Sequence, residues 1–150
     1  MREFAAVGRF SEHADVAVTA PVAFDYVTDQ STLADWNDHV THAEVIDGGA
    51  VRLGSRLRQQ RRRNNRDFDL TFEVTAHEPP RRHTVKGTVF GVDTMMEFTF
   101  EPRDAGTRVT MAATVKGRSL RALLAPLVTR EMHKSTVTAL QALQRQLGAA

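Results

Sequence analysis

Apolar and polar residues alternate along three segments of the chain, namely 68–76, 94–101 and 107–115. Side chains of a β-strand point alternately to the two faces of a sheet, so a period of two predicts strands with one apolar face and one polar face. An apolar sheet face of this extent needs a cover that keeps it from water. The pattern therefore predicts a sheet that packs against another element.

Turn sequences divide the chain from residue 41 onward into six strands without an intervening helix. They are Asp47-Gly48-Gly49, Asn64-Asn65, Glu78-Pro79-Pro80-Arg81, Phe90-Gly91 and Asp104-Ala105-Gly106. Asparagine tolerates positive φ and suits a two-residue hairpin, and proline cannot serve a central strand. Six consecutive strands predict an antiparallel meander. A further strand is predicted over residues 12–19, which gives a six- to seven-stranded sheet.

Two short helices are predicted after this first strand. Pro21 suits the first turn of the first helix, where the missing N–H has no cost, and Phe24 lies on its apolar side. Thr32 and Asp35 have the spacing of a capping box for the second helix, which carries Trp36.

The element that covers the apolar face of the sheet is predicted to be one long C-terminal helix over about residues 119–147, with Ser119 as its N-cap. Pro126 is expected to kink this helix or to split off a short first piece. Apolar and small residues recur at helical spacing along it, at Leu123, Leu124, Leu127, Val128, Met132, Thr136, Ala139, Leu140, Leu143 and Leu147. The predicted fold class is therefore α+β.

Composition is that of one globular domain, predicted over residues 1–150 with an ordered core at about 10–147. The chain has 150 residues, 41 % of them hydrophobic, and a net charge of +2. No apolar run is long enough to cross a bilayer, and the N-terminus lacks a signal-peptide pattern, which predicts a cytoplasmic protein. The absence of cysteine excludes disulfides and thiolate chemistry.

Three motifs resemble the START-like (SRPBCC) helix-grip superfamily, and within it the polyketide cyclase/dehydrase and lipid-transport family. They are Ala20-Pro21 with residues 23–29, Leu33-Ala34-Asp35-Trp36 and Val40; then Gly54; then Gly106-Thr107-Arg108-Val109-Thr110. The resemblance spans roughly residues 10–147. It implies a curved sheet wrapped around the C-terminal helix. Members of this superfamily with this fold include cyclases, lipid carriers, hormone receptors and stress proteins.

A strongly curved sheet cannot press its whole inner face onto one helix, so a hollow is expected between them. Its candidate apolar lining is Trp36, Phe72, Val74, Val85, Met96, Phe98, Met111, Leu127 and Met132. Methionine suits such a wall because it adapts to varied shapes. The alternative interpretation is that these side chains simply fill the core.

An arginine cluster supplies candidate polar chemistry, at Arg52, Arg56, Arg58, Arg61, Arg62, Arg63 and Arg66. If Leu57 faces inward, Gln59, Arg61 and Arg63 share its side, but Arg63 lies too near the hairpin to be assigned to the interior. Arg61 could anchor a carboxylate, enolate or phosphate. The alternative is a solvated edge strand whose arginines pair with Asp67, Asp69 or Glu73. Nucleic acid is not the expected partner, because the cluster lacks interleaved aromatic residues and the net charge is low.

No catalytic or dinucleotide-binding motif is present. Enzymatic activity would have to use polar groups inside the hollow, with candidates Tyr26, Gln59, Arg61, Asp93 and Thr136. His39 and His42 are interpreted as surface residues rather than metal ligands, and His133 as solvated. No metal or cofactor is expected.

Three functions remain open at this point. The first is binding of a small hydrophobic molecule, such as a lipid, fatty acid or polyketide-like compound, by a monomer or homodimer without an integral membrane segment. The second is an aromatase/cyclase-like enzyme acting on such a ligand, and the third is an interaction domain with a collapsed cavity. An inward, unpaired Arg or Asp beside a cavity favours the enzyme, a purely apolar cavity favours carriage, and a filled core favours the interaction domain.

Overall fold

The computed structural model describes residues 5–150, with side chains described from residue 7 onward. Its strands are β1 (Ala5–Val16), β2 (Val40–Val45), β3 (Arg56–Arg63), β4 (Arg66–Glu78), β5 (Arg82–Val89), β6 (Val92–Arg103) and β7 (Gly106–Arg118). Its helices are α1 (Ala20–Thr28), α2 (Leu33–Trp36) and α3 (Ala125–Leu147), with 3₁₀ helices at Gln30–Thr32 and Ser119–Leu123. Residues 1–4 lie outside the described part, including the start of the predicted domain.

All seven strands form one antiparallel sheet in the order β1-β7-β6-β5-β4-β3-β2. The meander predicted from the turns is thereby confirmed, and β1 joins it beside β7. β1 ends at Val16, so the prediction of a strand over 12–19 was wrong at its end, and the segment leads into α1 instead. Both Asn64 and Asn65 have positive φ, 52° and 61°, as the two-residue hairpin between β3 and β4 requires.

The apolar interior consists of two clusters rather than one. The first joins α1, α2 and the C-terminal half of α3 to the sheet and contains Phe24, Trp36 and Leu143. The second joins β3, β4 and β5 to the N-terminal half of α3 and contains Phe72 and Val128. This division gives the curved sheet two places of close packing along α3.

Two predicted helix starts differ in the structure. The hydroxyl of Thr32 donates to the backbone oxygens of Tyr26 and Asp29, at 2.7 and 2.9 Å, so the predicted capping box is not formed. Ser119 begins a 3₁₀ helix, and α3 begins only at Ala125, with Pro126 in its first turn. The short piece that Pro126 was expected to split off is thus present, because Pro126 lacks an N–H and its ring would meet the carbonyl four residues earlier in a continuous helix.

A buried threonine ties β7 to the segment before α1. The Thr107 hydroxyl is fully buried and donates to the backbone oxygen of Val18 at 2.7 Å. We expect Thr107→Val to destabilise the protein by about 1–3 kcal/mol, because the half-buried carbonyl of Val18 loses its donor. Urea unfolding followed by circular dichroism measures this effect.

Thr110→Val is the matched control for that substitution. Thr110 lies on the same strand but is only half-buried. Equal losses of stability in the two variants would show that the hydrogen bond of Thr107 does not account for the effect.

Candidate functional site

A cavity of about 540 Å³ lies between the inner face of the sheet and α3. Its size falls within the range of small-molecule sites. Eleven of the twelve predicted site residues line it, namely Trp36, Gln59, Arg61, Phe72, Val85, Met96, Phe98, Met111, Leu127, Met132 and Thr136. Among the described side chains, the interior is therefore not filled, contrary to the expectation for a collapsed interaction domain.

Val74 is the predicted lining residue that does not reach the cavity. It is 1 % exposed and packs in the second apolar cluster. Its backbone pairs with Gly54 and Ser55 in the segment before β3. The alternation of β4 correctly placed Val74 on the inner face, but a period of two does not show where along a strand the cavity ends.

Most of the wall is apolar. Phe98 stands edge-on to the Trp36 ring, with centroids 6.4 Å apart. Met96 and Met111 add flexible thioether side chains to the wall. The Thr136 hydroxyl lies 3.2 Å from the Met111 sulfur, so this predicted polar group already has a protein partner.

Arg61 is the cationic group of the arginine cluster that lies in the wall without an acidic partner. Its Nε donates to Oε1 of Gln59 at 3.0 Å, and no described carboxylate lies within ion-pair distance. Burial lowers the pKa of Arg61 to about 10, so the guanidinium remains protonated at neutral pH. Its remaining N–H groups can bind an anion or a carbonyl oxygen in the cavity.

The other arginines of β3 are solvated, as in the alternative interpretation. However, β3 is not an edge strand, because β2 pairs with its outer side. Arg62 pairs with Asp67 at 2.7 Å, as expected. Asp69 is not among the arginine partners in the described residues, and Glu73 pairs with Lys86. The remaining pairs join Arg56 to Asp47, Arg58 to Glu44 and Arg63 to Glu131.

The pair of Arg63 and Glu131 connects the β3–β4 hairpin to α3 at the edge of the cavity. Its Nη2–Oε2 distance is 2.8 Å, and both residues line the cavity. Arg63 was left unassigned by sequence, because it lies close to the hairpin.

Trp36 lines the cavity with its ring, whereas its indole N–H is buried away from the open space. The residue is 4 % exposed, and its Nε1 has no hydrogen-bond acceptor among the described residues. An indole N–H usually has an acceptor when it is buried.

His83 is a lining residue that the sequence reasoning missed. It is 3 % exposed, and its Nδ1 lies 3.1 Å from Nδ1 of His77. Burial, with a smaller contribution from the neighbouring His77, lowers the pKa of His83 to about 4. The signal was present in the sequence, because His83 alternates with Val85 and Val89 along β5.

Arg61 and His83 lie toward opposite ends of the cavity. Arg61 is opposite Phe68 on β4, whereas His83 is opposite His77, nine residues further along that strand. A single small ligand group therefore cannot contact both side chains.

The other candidate polar residues lie elsewhere or have partners. Asp93 is exposed and does not line the cavity, and neither does Tyr26, whose hydroxyl pKa is raised by burial. His39 is half-buried and lines the cavity, so its interpretation as a surface residue was wrong, whereas His42 is exposed. His133 is not simply solvated, because it stacks on Phe10 and contacts Glu12 at 2.7 Å.

Metal binding finds no geometric support in the described part of the chain. Within residues 5–150, no group of three or more His, Cys, Asp or Glu side chains could hold an ion.

None of the helices within residues 5–150 combines the length and apolar character that a bilayer crossing needs.

The sheet, the long helix and the cavity between them define a helix-grip fold. The family model described as polyketide cyclase/dehydrase and lipid transport matches residues 8–147. The chain belongs to this family, which confirms the resemblance seen in the sequence. A search of curated proteins finds no significant match.

Solved structures of low sequence identity share the fold. The crystal structure of Ara h 8.0201 is 12 % identical with a TM-score of 0.77, covering 95 % of this chain and 98 % of that chain. The major latex-like protein of Panax ginseng is 9 % identical, with a TM-score of 0.74 and coverages of 94 % and 97 %. The di-domain ARO/CYC StfQ of the steffimycin biosynthetic pathway is 11 % identical, with a TM-score of 0.74 and coverages of 94 % and 50 %.

We predict that His83 makes the protein sensitive to mild acid. Its pKa falls from the ordinary 6.5 to about 4, so the unfolded state binds more protons between these values. The contribution of neutral His83 to the free energy of unfolding is fully present above pH 6.5. We expect it to fall by about 2–3 kcal/mol as the pH decreases toward 4. Urea unfolding at several pH values measures the loss.

His83→Phe is expected to flatten this pH dependence, whereas His42→Gln, at an exposed position, leaves it unchanged. If His83→Phe retains the full acid sensitivity, another group is responsible. His77, whose pKa is also lowered by burial, would then be the next residue to replace.

Proposed function

We propose that the protein binds a small, mainly hydrophobic molecule in the cavity between the sheet and α3. The observation that carries this proposal is the unfilled cavity of about 540 Å³ with a mostly apolar wall. Water forms few hydrogen bonds with an apolar wall, whereas an apolar ligand is stabilised there because its surface leaves the solvent. We retain the expectation of a cytoplasmic monomer or homodimer, without nucleic acid as a partner.

We further propose that the ligand carries one anionic or strongly polarised oxygen, which binds Arg61. The guanidinium is protonated, partly desolvated and without a described carboxylate partner, so a ligand oxygen can supply the missing acceptor. Gln59 holds one edge of the guanidinium through Nε and leaves the terminal nitrogens for the ligand. The eleven predicted lining residues would provide the contact surface for the apolar part.

A second candidate function is an aromatase/cyclase-like enzyme, and the same Arg61 favours it. A cationic donor in an apolar cavity can stabilise an enolate oxygen, while the walls hold a flexible chain in a reactive shape. His83 is neutral at pH 7 and could accept a proton, but it lies at the other end of the cavity from Arg61. The arrangement therefore supports binding more directly than acid–base catalysis.

Native mass spectrometry of protein purified from its own host tests both functions. A retained apolar ligand with an acidic or carbonyl group is the result expected for binding. A carrier releases that compound unchanged after incubation, whereas a dehydrating cyclase releases a product lighter by one water. Repeated recovery of the protein without any ligand, together with failure to bind apolar probes, would contradict the proposal.

Filling the cavity should abolish binding of an uncharged apolar probe. Ala139 is 6 % exposed and lines the cavity, so Ala139→Phe places a ring in the space proposed for the ligand. We expect the affinity for N-phenyl-1-naphthylamine to fall at least about tenfold, since the loss of one buried apolar contact surface is worth roughly 1.5–3 kcal/mol. Fluorescence titration measures the change.

Val137→Phe is the matched control on the same helix, because Val137 is exposed and does not line the cavity. Equal affinity of the wild type and Ala139→Phe would place the probe elsewhere on the protein.

The contribution of Arg61 is separable with two related probes. Anilinonaphthalene sulfonate carries an anionic group that N-phenyl-1-naphthylamine lacks. We expect Arg61→Gln to weaken binding of the sulfonate about tenfold or more and to leave the neutral probe nearly unchanged, because charge-assisted hydrogen bonds contribute roughly 1.5–3 kcal/mol. Arg62→Gln, at the exposed neighbouring position, controls for general charge. Equal losses for both probes would indicate a structural role for Arg61.

A further inference from the structure

Five large apolar side chains are exposed at the end of the molecule where the second 3₁₀ helix leads into α3. We call them the apolar rim, which consists of Phe90, Leu120, Leu123, Leu124 and Leu127. Leu120 is 84 % exposed and Leu123 is 71 % exposed. The four leucines have the spacing i, i+3, i+4 and i+7, which places them on one side of the helical segment.

Contacts between the β5–β6 turn and the 3₁₀ helix join Phe90 to these leucines. Nε of Arg121 lies so close to the turn that a Cβ on Gly91 would meet it at 2.8 Å. Phe90, Leu124 and Leu127 also line the cavity, whereas Leu120 and Leu123 do not. The apolar rim therefore lies beside a place where the cavity reaches the surface.

The surroundings of the apolar rim are positively charged. Residues 105–130 contain five basic residues and no Asp or Glu. Of these, Lys116, Arg118 and Arg121 flank the apolar rim in sequence, and none has a carboxylate within 4 Å among residues 7–150. Exposed leucines and basic residues without a close ion pair thus lie together at one end of the fold, where Asp93, across the strand from Lys116, is a neighbouring acid.

An anionic bilayer matches both properties. Leucine side chains can enter the acyl boundary, and arginine and lysine bind lipid phosphates and are attracted by the negative surface potential. A second copy of the chain would match the leucines, but a two-fold contact would also bring the same cations together. The complementarity of charge therefore favours a lipid surface over self-association.

We propose that the apolar rim docks the protein on the surface of an anionic lipid bilayer, with the cavity opening next to the lipid. The docking can be tested separately from the function proposed for the cavity, because Leu120 and Leu123 belong to the apolar rim but do not line the cavity. Loss of probe binding inside the cavity and loss of vesicle binding are accordingly separate outcomes.

Co-flotation with vesicles of phosphatidylcholine, with or without phosphatidylserine, tests the proposal. We expect binding to the vesicles that contain phosphatidylserine, weaker binding to phosphatidylcholine alone, and a decrease at high salt. The double variant Leu120→Asp/Leu123→Asp should lower the partition coefficient at least about tenfold. Leu53→Asp is the matched control, because Leu53 is 66 % exposed in the loop between β2 and β3 and lies outside the apolar rim.

The cationic part is tested separately. Arg118→Gln should weaken binding to phosphatidylserine vesicles about fivefold, because each cation near an anionic surface contributes about 1 kcal/mol. Arg81→Gln, at the exposed turn between β4 and β5, should have no effect. Absence of vesicle binding, binding that ignores phosphatidylserine, or an equal loss in Leu53→Asp would overturn the proposal. A dimer abolished by the double leucine variant, without vesicle binding, would assign the apolar rim to self-association instead.

Discussion

The mismatch in shape between a bent sheet and a straight helix governs the rest of this structure. Seven strands present an apolar inner face, and α3 contacts that face closely at only two places, which become the two apolar clusters. Between these two places the side chains leave a cavity of about 540 Å³, whose wall contains residues of both clusters. Even large residues such as Phe72 and Phe98 line the space without closing it.

Within this apolar setting, the few polar groups acquire their properties from desolvation. Removal of water lowers the pKa of both Arg61 and His83, yet the two residues end in opposite states at neutral pH. Arginine starts high enough to remain charged, whereas histidine becomes firmly neutral. The cavity thereby has a cationic end and an uncharged histidine end, so its two ends differ in charge.

The sequence was sufficient for the fold, because periods of two and 3.6 report which face of an element is buried. Those periods also allowed an inward Arg61, which alternates with Leu57 and Gln59, but they did not decide between this position and a solvated strand. They did not show which inward positions along a strand face the cavity and which face packed side chains. Val74 was therefore assigned to the cavity although it packs in the core. Strand order and ion-pair partners depend on three-dimensional register, which explains why β3 was taken for an edge in one interpretation. His83 alternates with Val85 and Val89, but a histidine is compatible with either face of a strand, so the period alone does not distinguish a buried imidazole from a solvated one.

The ion pair between Arg63 and Glu131 bears on how firmly the edge of the cavity is held closed. It is the contact that links the β3–β4 hairpin to α3 at the cavity edge, and both side chains remain well exposed, at 41 % and 33 %. Exposed pairs of this kind contribute about 0–1 kcal/mol, which is comparable with thermal energy. The pair therefore adds little to the cohesion of the hairpin and α3, and this edge of the cavity is held mainly by the sheet and by apolar packing.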